Sequence, residues 1–408
     1  MAEPSRAPVY AQVPLWDWPL DETPVAASPA QPAQEAAGQA GQASQVAPTA
    51  TVLERPAAPD GPGEEPAVAE ALGVITRSLA GMAATETRPL LDEPSKRYRL
   101  RRFDDTDLAV FPVILGGSTF GWTASADATT AILDTYTEAG GNAVDTADSY
   151  AAGRSETLIG AWLRSRRNRD GIVLSTKVSR SAEHPGLSAQ SIVRATEASL
   201  ARLGVETVDL LYFHFDDPDV PLEESLTAAD SLVRSGKVRY LAASNYAPDR
   251  LMEARITAGQ LMLPRFVAVQ AHYNLVHRAE YEKDLLPIVR AQGLAVVPYF
   301  ALANGFLTGK YRGRSKEARG SDAHSRAVRV EQYLNKRGFR VLDALEDVAE
   351  QQGVSMSTAA VSWLLTKPLV TAPVVSASRP EQVAEIVGAA SVHLSRSQVT
   401  ALDRASQY

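Results

Sequence analysis

The sequence predicts an α/β protein folded as a closed (β/α)8 TIM barrel with an N-terminal β-hairpin. Three observations carry this. From about residue 98 onward, short and nearly continuous apolar runs alternate with amphipathic stretches. The runs lack the polar alternation of a sheet with one wet face, so both faces are buried and the sheet is parallel. Polar residues then end one run after another, as expected of strands whose C-terminal ends converge on a site. A doubly wound dinucleotide fold would carry a G-x-G-x-x-G turn after its first strand, and none stands there.

In chain order, YRLRRF (98–103) and LAVF (108–111) read as a small hairpin turning at Asp104-Asp105. The eight strand candidates are VILGGST (113–119), AVD (143–145), IVLSTK (172–177), VDLLYFH (208–214), VRYLAAS (238–244), FVAVQA (266–271), LAVVPY (294–299) and VTAPVVS (370–376). Helical periodicity fills the intervals, for example over 126–139, 192–203 and 223–236, and Ser395 opens a C-terminal helix. The densest basic run, Arg164 to Arg169, falls at a helix end, where cations complement the dipole. Trp162 and Trp363 lie on helical patterns and are expected in the core; His184 and His393 are expected at the surface. After the seventh strand, Ala301 to Arg329 is a long Gly-, Ser- and Arg-rich connection, and connections of that length usually carry function.

Residues 1–95 differ from the rest. Pro, Ala, Gln and Gly dominate and apolar periodicity is nearly absent, so this extension is expected to be disordered, with the barrel spanning 96–408. Within it, LWDWPL (15–20) reads either as a docking motif for a protein partner or as incidental hydrophobics of a tail. Residues 68–83 read as a marginal amphipathic helix.

The bulk numbers restrict the function classes. A chain of 408 residues with 45% hydrophobic content can bury a barrel core. A net charge of −7 without a Lys/Arg stripe argues against nucleic-acid partners. No apolar run reaches the ~18 residues of a membrane span, and no apolar segment follows Arg6 as a secretory signal would require. The absence of cysteine excludes disulfides, thiolate zinc sites and thiol catalysis. A cytoplasmic protein is expected.

Reading the strand ends gives Gly116, Gly117 and Ser118; Asp145 with Tyr150 five positions on; Lys177; His214; Ser244 and Asn245; Gln270; Tyr299; and Ser376. Asp145, Tyr150, Lys177 and His214 suit carbonyl reduction. A phenol titrates near pH ~10, so an acidic Tyr150 needs a buried cation, and Lys177 is expected to lower its pKa. Asp145 would keep that ammonium charged, His214 would polarise the carbonyl oxygen, and Tyr150 would deliver the proton. Metal-assisted hydrolysis would need clustered His and carboxylate ligands, and a single His at an inner strand end does not supply them, so no metal is expected. His272, two residues past Gln270, is expected to line the substrate mouth. Trp122 and Phe215 are either pocket walls or packing aromatics, and Phe300 joins them as a pocket residue. Arg154-Ser155 either caps a helix or stands beside the site.

The motifs DTADSY (145–150), STK (175–177) and DLLYFHFDDPD (209–219) resemble those of the aldo-keto reductases, in the bacterial and potassium-channel-β-related branch. GGSTFGW (116–122), KVRYLAASNY (237–246), VQAHYNLVHR (269–278), GFLTGKY (305–311) and SASRPEQVAEI (376–386) extend the resemblance from about Tyr98 to the C-terminus. It implies a nicotinamide dinucleotide bound without a Rossmann fold. Gly117 and Ser118 fall in the matching loop after the first strand. Ser244, Asn245 and Gln270 match residues that hold the carboxamide, Tyr299 the aromatic that stacks on the nicotinamide, and Leu307, Gly309 and Lys310 the loop over the pyrophosphate. Ser376, Ser378, Arg379 and Gln382 lead into a helix N-terminus suited to a 2′-phosphate, which favours NADPH over NADH. Glu385 matches the family, but Ile386 stands where the family usually has Asn, removing a polar contact to the adenine. GFLTGKY is not a Walker loop, because its spacing is short and Tyr311 replaces the Ser or Thr.

The expected function is NADPH-dependent reduction of a small aldehyde or ketone. The alternative is a cofactor-binding regulatory subunit, acting through a partner surface with little turnover. Homo-oligomerisation is compatible with either.

Overall fold

The structure is a computed structural model and describes residues 99–103, 105–312 and 329–408. The expected extension 1–95, including LWDWPL and 68–83, lies outside the described residues, as does most of the connection between Ala301 and Arg329.

The hairpin pairs β1 (Arg101–Arg102) antiparallel with β2 (Ala109–Val110). Eight parallel strands follow: β3 (Ile114–Gly116), β4 (Ala143–Asp145), β5 (Val173–Val178), β6 (Val208–Phe213), β7 (Val238–Ser244), β8 (Phe266–His272), β9 (Ala295–Tyr299) and β10 (Val374–Val375). Each pairs with its neighbours in chain order, and β10 returns to β3. The last strand is shorter than VTAPVVS predicts. Pro373 has no N–H to donate, and the ladder forms on either side of it. Closure against β9 runs through Val370, where the Thr371 amide donates to the Val296 carbonyl (2.8 Å) and the Val296 amide to that of Leu369 (2.9 Å).

Helices alternate with the strands. They are α1 (Ala126–Glu138), α2 (Arg154–Arg166), α3 (Ala189–Leu203), α4 (Leu222–Arg234), α5 (Pro248–Gln260), α6 (Leu286–Gln292), α7 (Lys336–Gln352), α8 (Met356–Leu365), α9 (Glu381–Gly388) and α10 (Arg396–Ala405). Helix α3 begins before the periodicity suggests, because Ser188 caps it by accepting from the Ser191 amide (3.2 Å). Helix α10 starts with a capping box between Ser395 and Gln398.

Two cores result from the period-2 alternation of each strand. Outward-facing Val144, Leu174, Val178, Leu211, Leu241, Val269 and Val296 pack under the helices, with Trp162 and Trp363 buried among them. Inward-facing Ala143, Leu210, Ala242, Ala268, Ala295 and Val297 fill the barrel, and Phe103, Leu108 and Val110 of the hairpin join them. The next inward position on several strands is polar. That is how Asp145, Lys177, Ser244 and Gln270 come to be buried inside the barrel towards the C-terminal ends of their strands.

Candidate active site

The four residues proposed from the sequence converge. Lys177 is fully buried on β5, and its ammonium donates to Asp145 Oδ2 (2.5 Å), the Thr146 carbonyl (2.8 Å) and the Tyr150 hydroxyl (3.4 Å). Asp145 Oδ1 accepts from the Ser175 hydroxyl (2.8 Å) and the Gln270 amide (3.3 Å). The Tyr150 and His214 rings meet edge to face at 6.0 Å. Tyr212, below them on β6, presents its ring to the ammonium at 5.7 Å.

The electrostatics follow from burial. Desolvation works against the Lys177 ammonium, but Asp145 and Tyr150 outweigh it, and its pKa is raised. His214 is held neutral, its pKa pushed well below the usual value by burial and then by Lys177 and Arg180. Its Nδ1 is buried with no hydrogen-bond partner among the described residues. Tyr150 departs from the sequence expectation. Burial raises its pKa, and the attraction of Lys177 is answered by the repulsion of Asp145. The ion pair cancels much of the field that a lone ammonium would exert, so the phenol keeps its proton.

The other expected residues are distributed around this layer. Ser244 is buried, and Asn245, at φ 56°, donates from Nδ2 to the His214 carbonyl (2.9 Å) and the Ser244 hydroxyl (3.0 Å). The Tyr299 hydroxyl donates to Asn245 Oδ1 (2.7 Å). The loops after β3 and β10 are stitched together by Ser118–Ser376 (2.9 Å), Thr123–Ser378 (3.2 Å) and the Thr119 hydroxyl on the Ala377 carbonyl (2.6 Å). Gly117 is required by a close approach, since a Cβ there would lie 2.7 Å from the Ser155 Oγ. Ser155 itself is buried and bridges the Gly117 carbonyl (2.9 Å) and Thr146 (2.8 Å), bracing the loop behind Asp145. Arg154 is exposed and donates to the Gly121 carbonyl (3.2 Å).

Some predicted contacts are modified. Leu307 is buried in the outer core and its amide donates to the Leu302 carbonyl (3.2 Å), whereas Lys310 is exposed. Gly309 closes the preceding turn at φ 81°. Gln382 Oε1 accepts from the Ser378 (2.8 Å) and Arg379 (3.2 Å) amides, capping α9 and leaving exposed Arg379 at its N-terminus. Glu385 accepts from Ser355 (3.1 Å), and Ile386 is buried in the core. His272 ends β8 and is half-buried. It is sandwiched between His277 (3.6 Å) and Tyr299 (5.3 Å), with Phe300 against its edge (5.2 Å), and burial and then His277 hold it neutral. Trp122 is half-buried.

Residues 112–407 match the profile of the Aldo/keto reductase family. The chain belongs to that family. It is 30% identical over 318 residues to norsolorinic acid reductase B of Aspergillus parasiticus, covering 74% of this chain and 82% of that protein. It is 29% identical over 336 residues to a putative aryl-alcohol dehydrogenase of Saccharomyces cerevisiae (78% and 89%). Over 256 residues it is 34% identical to a putative voltage-gated potassium channel subunit beta of Schizosaccharomyces pombe (61% and 74%). Among the described residues of this aldo/keto reductase, no helix is long and apolar enough to cross a membrane.

Two residues of the site had no role in the sequence reading. Asp148 is buried, its Oδ2 accepting from the Ser181 amide (3.2 Å) while Oδ1 has no partner among the described residues. Burial and then Glu156 raise its pKa to about 7. Arg180 lies over the Phe215 ring at 4.8 Å. The signal for Asp148 was its position between Asp145 and Tyr150, but a loop carboxylate gives no sequence sign of burial. Arg180 falls three residues past the strand-end Lys177, where a cation usually means solvent.

Proposed function

We propose that this aldo/keto reductase reduces an aldehyde or ketone to the alcohol with NADPH. The observation that carries the reading is the buried Asp145–Lys177 pair bonded to the half-buried Tyr150, beside a neutral His214 at the barrel mouth. NADPH, when bound, supplies the hydride. The residues present suit it. Polar Ser244, Asn245 and Gln270 edge the layer beside the quartet, and Arg379 at the N-terminus of α9 suits a phosphate.

The chain's own residues would then handle the oxygen. A neutral His214 donates a hydrogen bond to the carbonyl oxygen and polarises it. Tyr150, protonated at neutral pH because burial raises its pKa, passes its proton to the oxygen as negative charge builds there. Lys177 steadies the phenolate that remains, and Asp145 keeps the ammonium charged and aimed. Tyr150→Phe tests this. Steady-state turnover should fall roughly 10²–10⁴-fold, while NADPH binding, read by its fluorescence, stays unchanged. Undiminished turnover would sink the mechanism.

A second reading draws on the potassium-channel β subunit among the relatives. A cofactor-binding subunit acting on a protein partner would bind NADPH and oxidise it with no carbonyl of a broad panel. Rapid oxidation with any panel member removes that reading.

A further inference from the structure

The loop that carries Tyr150 also carries a buried carboxyl that the chemistry above does not use. We propose that Asp148 is a positioning residue for Tyr150: its side chain ties the loop after β4 to the loop after β5 and keeps the Tyr150 hydroxyl within reach of the Lys177 ammonium. The inference rests on the reductase reading and adds a residue to that same site.

The loop needs a tie. As far as Asp148 its backbone runs along β5, the Thr146 amide donating to the Ser175 carbonyl (2.9 Å) and the Asp148 amide to the Lys177 carbonyl (3.0 Å). Beyond Asp148 the backbone turns in on itself. The Tyr150 amide donates to the Ala147 carbonyl (3.2 Å), the Ala152 amide to that of Ser149 (3.3 Å) and the Gly153 amide to that of Tyr150 (3.2 Å). Ala151 and Ala152 adopt φ 51° and 53°, ahead of Gly153 at φ 82°. Two consecutive alanines in the left-handed region persist where their surroundings over-determine them. Ser155 braces one end of this turn against the Gly117 carbonyl (2.9 Å). Asp148 braces the other, with Oδ2 accepting from the Ser181 amide (3.2 Å). The Tyr150 hydroxyl lies 3.4 Å from the ammonium, at the long end of hydrogen-bond reach, so a small shift of the loop would part them.

Charge pairing does not account for the burial of Asp148. It is 3% exposed, no cation pairs with it among the described residues, and its Oδ1 has no partner among them. Glu156 faces it from α2, but that carboxylate is met by the Arg202 guanidinium of α3 (2.7 Å) and the Thr176 hydroxyl (2.5 Å). Arg180 faces it from the loop after β5, and Tyr150 from its own loop. A carboxyl in this setting stays neutral up to about pH 7. Once ionised, it sets a negative charge near a phenol that must itself become anionic during turnover. A positioning role for Asp148 therefore has a signature in the pH profile that a purely structural plug would lack.

The test compares wild type, Asp148→Asn and Asp148→Ala, using the full chain with saturating NADPH and a non-ionising aldehyde, 4-nitrobenzaldehyde. Asp148→Ala should lose roughly 10- to 100-fold in kcat with little change in NADPH affinity. Asp148→Asn still offers an oxygen to the Ser181 amide and should recover most of that loss. Lys177, His214 and Tyr150 are all shifted away from neutral pH. From about pH 6 to about pH 8 the wild-type kcat/KM should therefore fall roughly 3- to 10-fold as Asp148 ionises. Asp148→Asn should show no such fall. Full turnover in Asp148→Ala, or the wild-type profile in Asp148→Asn, overturns the assignment. Hydrogen exchange read by mass spectrometry follows the loop without any substrate, and residues 146–153 should exchange faster in Asp148→Ala than in the other two proteins. Faster exchange supports the tie even if the aldehyde is not reduced, in which case the reductase reading alone is in trouble. Unchanged exchange overturns it.

Discussion

Asp145→Asn removes the charge that keeps a fully buried ammonium in place, and its cost can be worked out contact by contact. Lys177 has three partners, at 2.5, 2.8 and 3.4 Å, and only Asp145 is anionic at neutral pH. An asparagine could offer its oxygen to Lys177, but its amide would then face Ser175 and the Gln270 donor that now approaches Asp145 Oδ1 at 3.3 Å. Ser175 can turn to accept, whereas the Gln270 N–H would oppose another N–H. Removing one partner of a buried pair typically costs about 3–5 kcal/mol, most of it from the charge left behind. The assay is urea unfolding of the wild type, Asp145→Asn, Lys177→Met and the double variant. Asp145→Asn should lower the midpoint by the equivalent of that figure. The double variant should recover a substantial part, because it buries no lone charge. The raised Lys177 pKa makes its contribution fully present below the unfolded lysine value and lost only as pH rises through the higher folded value. Measurement near pH 7–8 therefore reads the whole effect. A single variant within about 1 kcal/mol of the wild type, or a double variant as unstable as the two losses added, would refute the reasoning.

Two further substitutions probe the scaffold around the site. Asp148 has a folded pKa of about 7, above its unfolded value, so its contribution is present in acid and is lost as pH rises through that folded value. Between pH 4 and 8 the wild type should lose on the order of 4 kcal/mol relative to Asp148→Asn; parallel stability–pH curves would count against a buried carboxyl that ionises only near pH 7. Gly160→Ala would place a Cβ 2.3 Å from the Leu203 carbonyl where α2 crosses α3. Separating those helices should cost at least about 1–3 kcal/mol, and a midpoint unchanged in denaturant would show that the crossing is looser than described.

Much of the barrel was legible in the sequence because its signals are local. AVD (143–145) and VRYLAAS (238–244) form strands with the predicted bounds, since an apolar run flanked by polar residues identifies itself without reference to any partner. The same logic located Asp145, Lys177, His214 and Gln270. Each ends a run, and the two-residue period of a strand carries it to the inward face. Beyond that layer, single-residue reading gave less. VTAPVVS shrank to Val374–Val375 because Pro373 withholds a donor that only the neighbouring strands demand.

What only the tertiary structure decided is how groups distant in sequence share one environment. The stacking of His272 on His277 and Tyr299, residues five and 27 positions on, is visible only in the folded chain. Tyr150 looked acidified by Lys177, but desolvation of its hydroxyl and then the nearby Asp145 reverse the direction. Arg180 became part of the mouth once Phe215 came beneath it from the next strand. The physical reason is common to all of these. Which residues can form a strand or end one is set by the chain's own covalent pattern. Desolvation and Coulomb interaction depend on distances across the barrel, and those exist only after the strands have closed.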